Sequence, residues 1–359
     1  MDIIPISIAA DPLLSVPNIP LSDVSRQNMN IQDAQWELPG RPDATIEPAQ
    51  LALWDEMLRE DTIFVSPELA RPKIAVRVGP VYFGYHPGRL RNTVGRGIAS
   101  SRNWSGAVVR PSNGRRFKSA AGRWTVPDVV RGHPDDVSLR NSPGFAGHGE
   151  PLDHKCSIWV GLDGNFGWAD SMPQLGTEHT EHGTHILWFQ WWHPKSMRFQ
   201  VYVTNPEMLL NVGDEVICSL EALDTQTVRF NFLRISAATG ERFFTSVQSR
   251  AEDQRPLLGS TAQAILERPS EPYLDRDSNG KLEARDAGRH PMCNFGEVAF
   301  TAFAATADKS GDTATREEYG LATARLYKTT TTLQNPIRTR VVSRPSMTEN
   351  RTKLKLKYM

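Results

Sequence analysis

Hydrophobic and polar residues alternate with a period of two through the middle of the chain, from Asn103 to about Tyr327. Such alternation is typical of strands that bury one face. The runs that show it, separated by Gly, Pro, Asn and Asp, are GRWTVP, SIWVGLDG, HILWFQWW, RFQVYV, DEVICSL, VRFNFLRIS and GEVAFTAF. Because no helical segments alternate with these runs, the pattern predicts an all-β fold, either an antiparallel β-sandwich or a barrel.

Residues 1–97 lack this alternation and are rich in proline. One helix is predicted there, where Pro48 opens the run and Leu51, Trp54 and Leu58 lie along one face. We therefore expect an irregular, partly helical N-terminal extension that leads into a basic, Gly-rich linker over residues 86–102. Its position and charge suggest a pro-segment. Its first residues lack the basic region of a standard signal peptide, and the sequence does not predict the compartment.

The sandwich itself is predicted over residues 98–330, and a basic tail is predicted over residues 331–359. Between Arg338 and Met359, seven Lys or Arg residues accompany a single acid, Glu349. Chain segments of this composition seldom bury enough apolar surface to become ordered. We therefore expect a flexible tail.

Charge and cysteine content narrow the classes of partner. The 41 Lys and Arg residues balance 41 Asp and Glu residues, so no net charge favours nucleic acid as a partner. No stretch approaches the roughly twenty apolar residues that a membrane span requires. The three cysteines (Cys156, Cys218 and Cys293) cannot all pair, and none has the spacing of a metal site. The sequence does not predict the oligomeric state.

Five blocks occur in order along the chain: NWSGAV at 103–108, GRWTVP at 122–127, SIWVGLDG at 157–164, PQLG at 173–176 and AILERPS at 264–270. Together they resemble the signature blocks of the glutamic peptidase (eqolisin) family. The resemblance covers roughly residues 101 to 305 and leaves both ends of the chain unexplained. It implies a sandwich of two curved antiparallel sheets, similar to the concanavalin fold, and a polypeptide substrate.

The resemblance also implies the catalytic pair. The family's catalytic Gln and Glu correspond to Gln174 and Glu267, which would activate a water against a peptide carbonyl without a cofactor. Its Trp and Asp correspond to Trp159 and Asp163, which would shape the cleft. The family is mostly secreted.

The residue chemistry agrees with these roles. A carboxylate can act as general base for water if its pKa is suitable and a donor stabilises the developing oxyanion. Strand alternation puts Trp159 and Asp163 on one face, and it puts Gln263 on the same face of its strand as Glu267. Nearby tryptophans would raise the pKa of Glu267 by desolvation, which predicts activity under acidic conditions.

Six residues are predicted to line the substrate cleft: Trp104, Trp159, Asp163, Gln190, Trp192 and Gln263. Gln190 and Gln263 stand where the resembled family commonly carries carboxylates. These neutral replacements leave open a second function. The same aromatic cleft could bind a polysaccharide or an extended peptide without cleaving it.

A separate motif predicts a calcium site in a hydrophilic loop. Asp275, Asp277, Asn279 and Asp286 have the spacing of oxygen ligands in an EF-type loop, with Gly280 at the turn. The loop closes with Asp rather than the usual bidentate Glu, and clear flanking helices are lacking. The alternative interpretation is a polar hairpin tip.

Three histidines, His179, His182 and His185, are spaced by three residues each. Their segment has no helical periodicity, so their side chains need not converge on a metal. We therefore predict a solvated turn there.

Overall fold

The computed structural model describes residues 3–19, 37–72, 98–138, 151–165, 171–193, 200–252, 255–276, 282–334 and 337–359. Its strands, numbered in chain order, are β1 (Ile3–Ile6), β2 (Leu14–Ser15), β3 (Thr62–Phe64), β4 (Leu69–Pro72), β5 (Ala99–Ser101), β6 (Trp104–Val109), β7 (Arg116–Thr125), β8 (Lys155–Leu162), β9 (Met172–Thr180), β10 (His185–Trp192), β11 (Val201–Val203), β12 (Glu215–Ala222), β13 (Thr227–Ile235), β14 (Arg242–Arg250), β15 (Ala262–Glu267), β16 (Ser270–Arg276), β17 (Leu282–Arg289), β18 (Glu297–Phe300), β19 (Ala302–Lys309), β20 (Asp312–Tyr319), β21 (Arg325–Gln334), β22 (Ile337–Met347) and β23 (Leu354–Tyr358). The helix α1 spans Pro48–Met57, and 3₁₀ turns span Ile8–Ala10, Pro206–Met208 and Leu321–Thr323.

Two sheets contain most of the strands. Within the described residues, the large sheet has 13 strands in the order β1-β4-β11-β10-β9-β8-β15-β6-β21-β22-β23-β18, with β5 beside β21. The smaller sheet has 8 strands in the order β2-β14-β13-β12-β7-β19-β20, with β3 beside β14. Apart from β3–β14 and β5–β21, the strand pairs of both sheets are antiparallel. The predicted antiparallel β-sandwich is confirmed.

Alternate residues of the central strands pack between the two sheets. Val160 and Leu162 of β8 are fully buried there, together with Phe230 and Phe232 of β13. Burial of side chains of this size stabilises a fold by about 1.5–3 kcal/mol each. The other face of β8 and its neighbours points away from the smaller sheet, and a different set of residues lies on it.

Gly122 of β7 marks a close approach of the sheets, because an added Cβ there would lie 2.7 Å from a methyl carbon of Val160. The indole N–H of Trp124 also donates across the sandwich to Thr177 Oγ1, at 3.1 Å. Packing and a buried hydrogen bond therefore fix β7 against β8 and β9.

Helix α1 packs on the outer face of the smaller sheet, where its buried residues are Gln50, Leu53 and Met57. The prediction of a helix from Pro48 is confirmed. Its predicted face is wrong in part, because Leu51 and Trp54 are only half-buried. Gln50 Nε2 donates to the carbonyl of Ala304 and the hydroxyl of Ser119, both at 3.1 Å. A pattern of apolar residues alone misses a buried polar side chain with partners of this kind.

The described part of the N-terminal extension belongs to both sheets. Strands β1 and β4 extend the large sheet beyond β11, and β2 and β3 pair with β14 of the smaller sheet. Phe64 of β3 packs edge-on against Phe244 of β14, with ring centroids 5.2 Å apart. Removal of this segment as a pro-segment stays a prediction, and the structure shows what that removal would expose.

The C-terminal segment differs from the predicted flexible tail. Strands β22 and β23 lie within the large sheet, and Val342, Leu354 and Leu356 are fully buried. The sequence LKLKY alternates apolar and basic residues, so one face of β23 is apolar although its overall composition is basic. A count of charges misses this alternation.

Among the described residues, none of the helices is long and apolar enough to cross a membrane.

Candidate functional site

Three aligned rows of residues cross the middle of the large sheet on the face that points away from the smaller sheet. Strand register pairs β15 with β8, β8 with β9, and β9 with β10. The rows are Gln263–Gly161–Gln174–Gln190, Ile265–Trp159–Gly176–Trp188 and Glu267–Ser157–Glu178–Ile186. We call these twelve residues the site face. The predicted sharing of one face by Gln263 and Glu267 is confirmed.

Three N–H donors hold the carboxylate of Glu267. The side-chain amide of Asn103 and the indole of Trp104 donate to Oε1 at 2.8 and 3.0 Å. The indole of Trp159 donates to Oε2 at 2.9 Å. The two indoles pack edge to face, with ring centroids 5.2 Å apart. A carboxylate has about four acceptor positions, so this arrangement leaves Oε2 able to accept one further hydrogen bond.

Burial raises the pKa of Glu267 above its ordinary value of 4.5, because desolvation disfavours the charged form. The donors Asn103, Trp104 and Trp159 and the positive charge of Arg289 act in the opposite direction. The net direction is upward. Glu267 therefore exchanges its proton at higher pH than an exposed glutamate does.

Gln174 is 4% exposed and has spare hydrogen-bonding capacity. Its Nε2 lies 3.4 Å from Oε1 of Gln190 across the β9–β10 pair, a long contact. Its Oε1 has no hydrogen-bond partner within the described residues. A buried amide oxygen without a hydrogen-bond partner costs about 1–3 kcal/mol of stability. A ligand that donates a hydrogen bond to Gln174 Oε1 would recover part of that free energy.

Gly161 lies between Gln174 and Gln263 in the first row. An added Cβ at Gly161 would come within 3.1 Å of the Gln174 Cβ and 3.0 Å of the Pro173 carbonyl oxygen. Gln263 is fully buried, and its Nε2 donates to the backbone oxygen of Asp163 at 2.6 Å. Its Oε1, like that of Gln174, is unpartnered in the part of the chain that is described. The first row is therefore a strip of amides interrupted only by a glycine.

Asp163 serves the loop before β15. Its carboxylate accepts hydrogen bonds from the backbone N–H groups of Leu258, Gly259 and Ser260 at 2.7, 3.0 and 2.5 Å, and from the Ser260 hydroxyl at 2.6 Å. Its φ of +61° is a conformation that Asp tolerates better than most residues. Asp163 therefore fixes the loop that leads into β15, and its role in shaping the cleft stays a prediction.

The aromatic residues of β10 divide between two faces. Phe189 and Trp191 pack in the core between the sheets. Trp188 and the half-buried Trp192 pack on the other face with Trp104, Trp159 and the remaining apolar residues of that cluster. An aromatic wall therefore surrounds Glu267 and the amide strip.

Gln174 and Glu267 lie on the same face but in different rows. Each belongs to a strand that pairs with β8, where Gln174 is opposite Gly161 and Glu267 is opposite Ser157. The two rows are four residues apart, a span of about 13 Å along an extended strand. Trp159 lies between them and donates to Glu267. The meeting of both side chains at one water stays a prediction.

Three residues of this region were not predicted from the sequence. Asn103 binds Glu267, and Glu178 is a buried acid in the same row as Glu267. The Tyr202 hydroxyl donates to Glu178 at 3.4 Å, and burial raises the pKa of that tyrosine. Alternation from Gln174 along β9 could have indicated Glu178, since residues four apart on a strand share a face.

The calcium motif lies on a hairpin formed by β16 and β17. Asp277 and Asn279 lie outside the described residues. Asp275 is opposite Glu283 and Asp286 is opposite Pro272, so the two acids occupy different positions along the hairpin. Calcium binding stays a prediction.

The three histidines have different environments. His179 and His185 face each other across β9 and β10, with their Nδ1 atoms 2.8 Å apart. His179 is fully buried, and burial lowers its pKa. The predicted solvated turn is wrong for His179 and agrees with the exposed His182, because the turn begins only after Thr180.

Comparison with known proteins identifies the family of this chain. The Peptidase A4 family matches residues 102–351. A crystal structure of Scytalido-glutamic peptidase with a peptide-based transition state analog is similar, with 20% identity, a TM-score of 0.48 and coverage of 72% of this chain and 98% of that chain. A structure of SCP-B, a member of the eqolisin family, in a complex with the tripeptide Ala-Ile-His has 18% identity, a TM-score of 0.46 and the same coverage of both chains. No curated protein matches the chain. Because the family match spans more than half of the sequence, the chain belongs to the Peptidase A4 family, the glutamic-type peptidases.

Proposed function

We propose that this chain is an endopeptidase in which Glu267 and Gln174 act on a water and a scissile peptide bond. One observation carries the proposal: a carboxyl of raised pKa is fixed by three N–H donors and retains one acceptor position. A general base needs this combination of fixed orientation and free acceptor.

The proposed reaction has two proton transfers. Ionised Glu267 accepts a proton from water as the water oxygen attacks the carbonyl carbon. The Gln174 side-chain N–H donates to the oxyanion that forms. Glu267 then gives the proton to the leaving amine nitrogen as the C–N bond breaks, which restores the carboxylate. The step needs no cofactor.

The surroundings of the pair support these roles. Indole N–H groups donate and never accept, so Trp104 and Trp159 favour the ionised form that the first step requires. Gln174 lacks a strong partner within the described part of the protein, so its donors are available to a substrate carbonyl. The proposal requires substrate to lie over Trp159, between the row of Gln174 and the row of Glu267.

The pH dependence follows from the raised pKa of Glu267. Only the ionised carboxylate accepts a proton from water, so activity falls as the pH drops through that pKa. Because the pKa of Glu267 lies above the ordinary 4.5, we expect the proposed activity to be higher in weakly acidic solution than in strongly acidic solution.

The test is cleavage of an unfolded protein substrate from pH 2 to pH 7. Glu267→Gln and Gln174→Ala should each lower kcat/KM by at least about 100-fold, the usual size of general acid–base effects. Glu221→Gln is the control, because Glu221 is another carboxyl whose pKa burial raises, on β12 of the smaller sheet. Cleavage that survives both changes at the site would refute the proposed pair.

A second function is favoured by the amide strip. Gln174 and the half-buried Gln190 place neutral donors and acceptors in one row, beside the buried Gln263 and an aromatic wall. Such a surface suits a polysaccharide or an extended peptide that is held without cleavage. This function predicts saturable binding to the unmodified protein with no product at any pH in the same assay.

A further inference from the structure

A second cluster of ligand-type side chains lies beyond the end of the site face, where β9 turns into β10. Glu181 and His182 belong to that turn, and Asp153 immediately precedes the segment that enters β8. The backbone fixes the turn, because the Gly183 N–H donates to Thr180 at 3.0 Å and the Glu181 N–H donates to the His154 carbonyl at 3.1 Å. Residues distant in sequence are therefore held side by side.

The ligand atoms of Asp153, Glu181 and His182 all lie within 4.8 Å of one another. His182 Nε2 is 3.5 Å from Asp153 Oδ1. Two donors bound to one zinc ion at about 2.0–2.1 Å in a tetrahedron lie about 3.4 Å apart. The imidazole and the carboxylate are thus already at the separation that a shared zinc ion requires.

His154 provides an independent reason to expect a ligand. It is 2% exposed, and neither ring nitrogen has a hydrogen-bond partner among the residues described. Its Nδ1 points at Glu181, 3.5 Å from Oε1. A buried imidazole in this condition is costly unless it serves a neighbouring group. Carboxylates that bind metals are commonly fixed by a hydrogen bond from a neighbouring group, and His154 is close enough to Glu181 to provide one after a small shift.

We propose that Asp153, Glu181 and His182 bind a zinc ion, with a water in the fourth position and with His154 as a positioning residue for Glu181. Two carboxylates and one neutral imidazole form a donor set that suits Zn²⁺. Asp153 and His182 are 58% and 66% exposed, so an ion enters directly from solvent. The site joins the β9–β10 turn to the start of β8 and is separate from Glu267 and Gln174.

The guanidinium of Arg131 would compete with the ion for the carboxylate of Glu181. Its Nε lies 3.8 Å from Glu181 Oε2, and its side chain is 67% exposed. An exposed ion pair of this kind contributes little, so the guanidinium can move away when a divalent cation binds.

The proposal is tested by calorimetric titration of the full chain with ZnCl₂ at neutral pH, followed by the absorption spectrum of the Co²⁺-loaded protein. We expect one zinc per chain and a tetrahedral Co²⁺ spectrum. His182→Ala and Asp153→Asn should each weaken binding by at least about tenfold, since each removes a ligand. Zinc should raise the Tm of the unmodified protein and leave that of His182→Ala unchanged.

Two controls separate this site from other histidines. His133→Ala alters a half-buried histidine whose Nδ1 is 3.7 Å from Asp135 Oδ2, and His185→Gln alters the half-buried partner of the buried His179. Both should retain zinc affinity. The proposal is overturned if no binding occurs up to millimolar zinc, if His182→Ala binds as tightly as the unmodified chain, or if His185→Gln alone abolishes binding.

His154→Phe tests the positioning role. The phenyl ring keeps the packing but removes the Nδ1 that faces Glu181, so it cannot donate to Glu181 when the ion binds, and zinc affinity should fall by about 10- to 100-fold. The Tm measured in a chelator shows whether the metal-free fold is retained. Unchanged affinity in a folded variant would remove His154 from the site.

Discussion

Two indole N–H groups and one side-chain amide donate hydrogen bonds to the carboxylate of Glu267, and these three contacts influence its pKa. The donors favour the ionised form, whereas burial favours the neutral form. Any change that removes a donor therefore shifts the balance toward the neutral acid.

Trp159→Phe tests this balance. It removes the donor to Oε2, so the pKa of Glu267 should rise further, since a hydrogen bond to the carboxylate favours its charged form. The acidic limb of kcat/KM should then move to higher pH. Trp188→Phe is the matched control, because the Trp188 N–H has no partner among the described residues. An equal shift in both variants would contradict the assigned hydrogen bond.

Asp163→Ala should destabilise the protein without touching Glu267. The change leaves three backbone N–H groups at residues 258–260 without their acceptor, and it forces alanine into a φ of +61°. We expect a loss of about 2–4 kcal/mol in the free energy of unfolding, measured with denaturant. Asp135→Ala, at an exposed position, should cost less than about 0.5 kcal/mol. Comparable losses would argue against the loop contacts.

At this scale, period-two alternation correctly predicted which side chains share a face. It could not predict that Asn103 and Trp104 donate to Glu267, because those contacts join segments far apart in sequence. Alternation also could not predict that Gln174 and Glu267 lie in different rows of that face. The row of each residue depends on the register between neighbouring strands, which alternation does not specify.

Among the elements, β23 shows how composition and pattern can disagree. Its lysines lie on the exposed face, and Leu354 and Leu356 lie in the core between the sheets. The overall charge suggested a flexible segment, whereas the alternation within five residues produces a buried strand.

Leu356→Ala and Lys355→Ala measure this difference. The leucine is fully buried, so its truncation should cost about 2–5 kcal/mol of stability. Lys355 forms an exposed ion pair with Glu297 at 2.9 Å, so its truncation should cost at most about 1 kcal/mol. If both variants unfold at the same denaturant concentration as the unmodified chain, the C-terminal segment is not part of the folded sheet.

At the scale of the whole molecule, the order of strands in each sheet cannot be predicted from the alternation of hydrophobic and polar residues. Strand β15 lies between β8 and β6 of the large sheet, although β14, which precedes it, belongs to the smaller sheet. The sandwich could be predicted because every core strand needs a second layer, but the strand order depends on contacts of long sequence separation.

Deletion of residues 1–97 tests the N-terminal segment at this scale. The deletion removes α1 and β1 to β4, and it uncovers Ile217, Leu233 and Phe244 on the outer face of the smaller sheet. We expect a lower Tm and a greater tendency to aggregate, because a large apolar patch becomes exposed. A shortened chain that is equally stable and more active in acid would instead identify the segment as a pro-segment.

Strand β1 forms one end of the large sheet as described, and there Ile3 and Ile4 are 40% and 53% exposed. Open, apolar sheet margins invite other chains to add a strand, which leads to aggregation. Pro5 interrupts this margin, since proline offers no N–H to an incoming strand. The proposed substrates of this protein are unfolded polypeptides. Pro5 would therefore disfavour the pairing of a substrate chain with β1, away from the proposed active site.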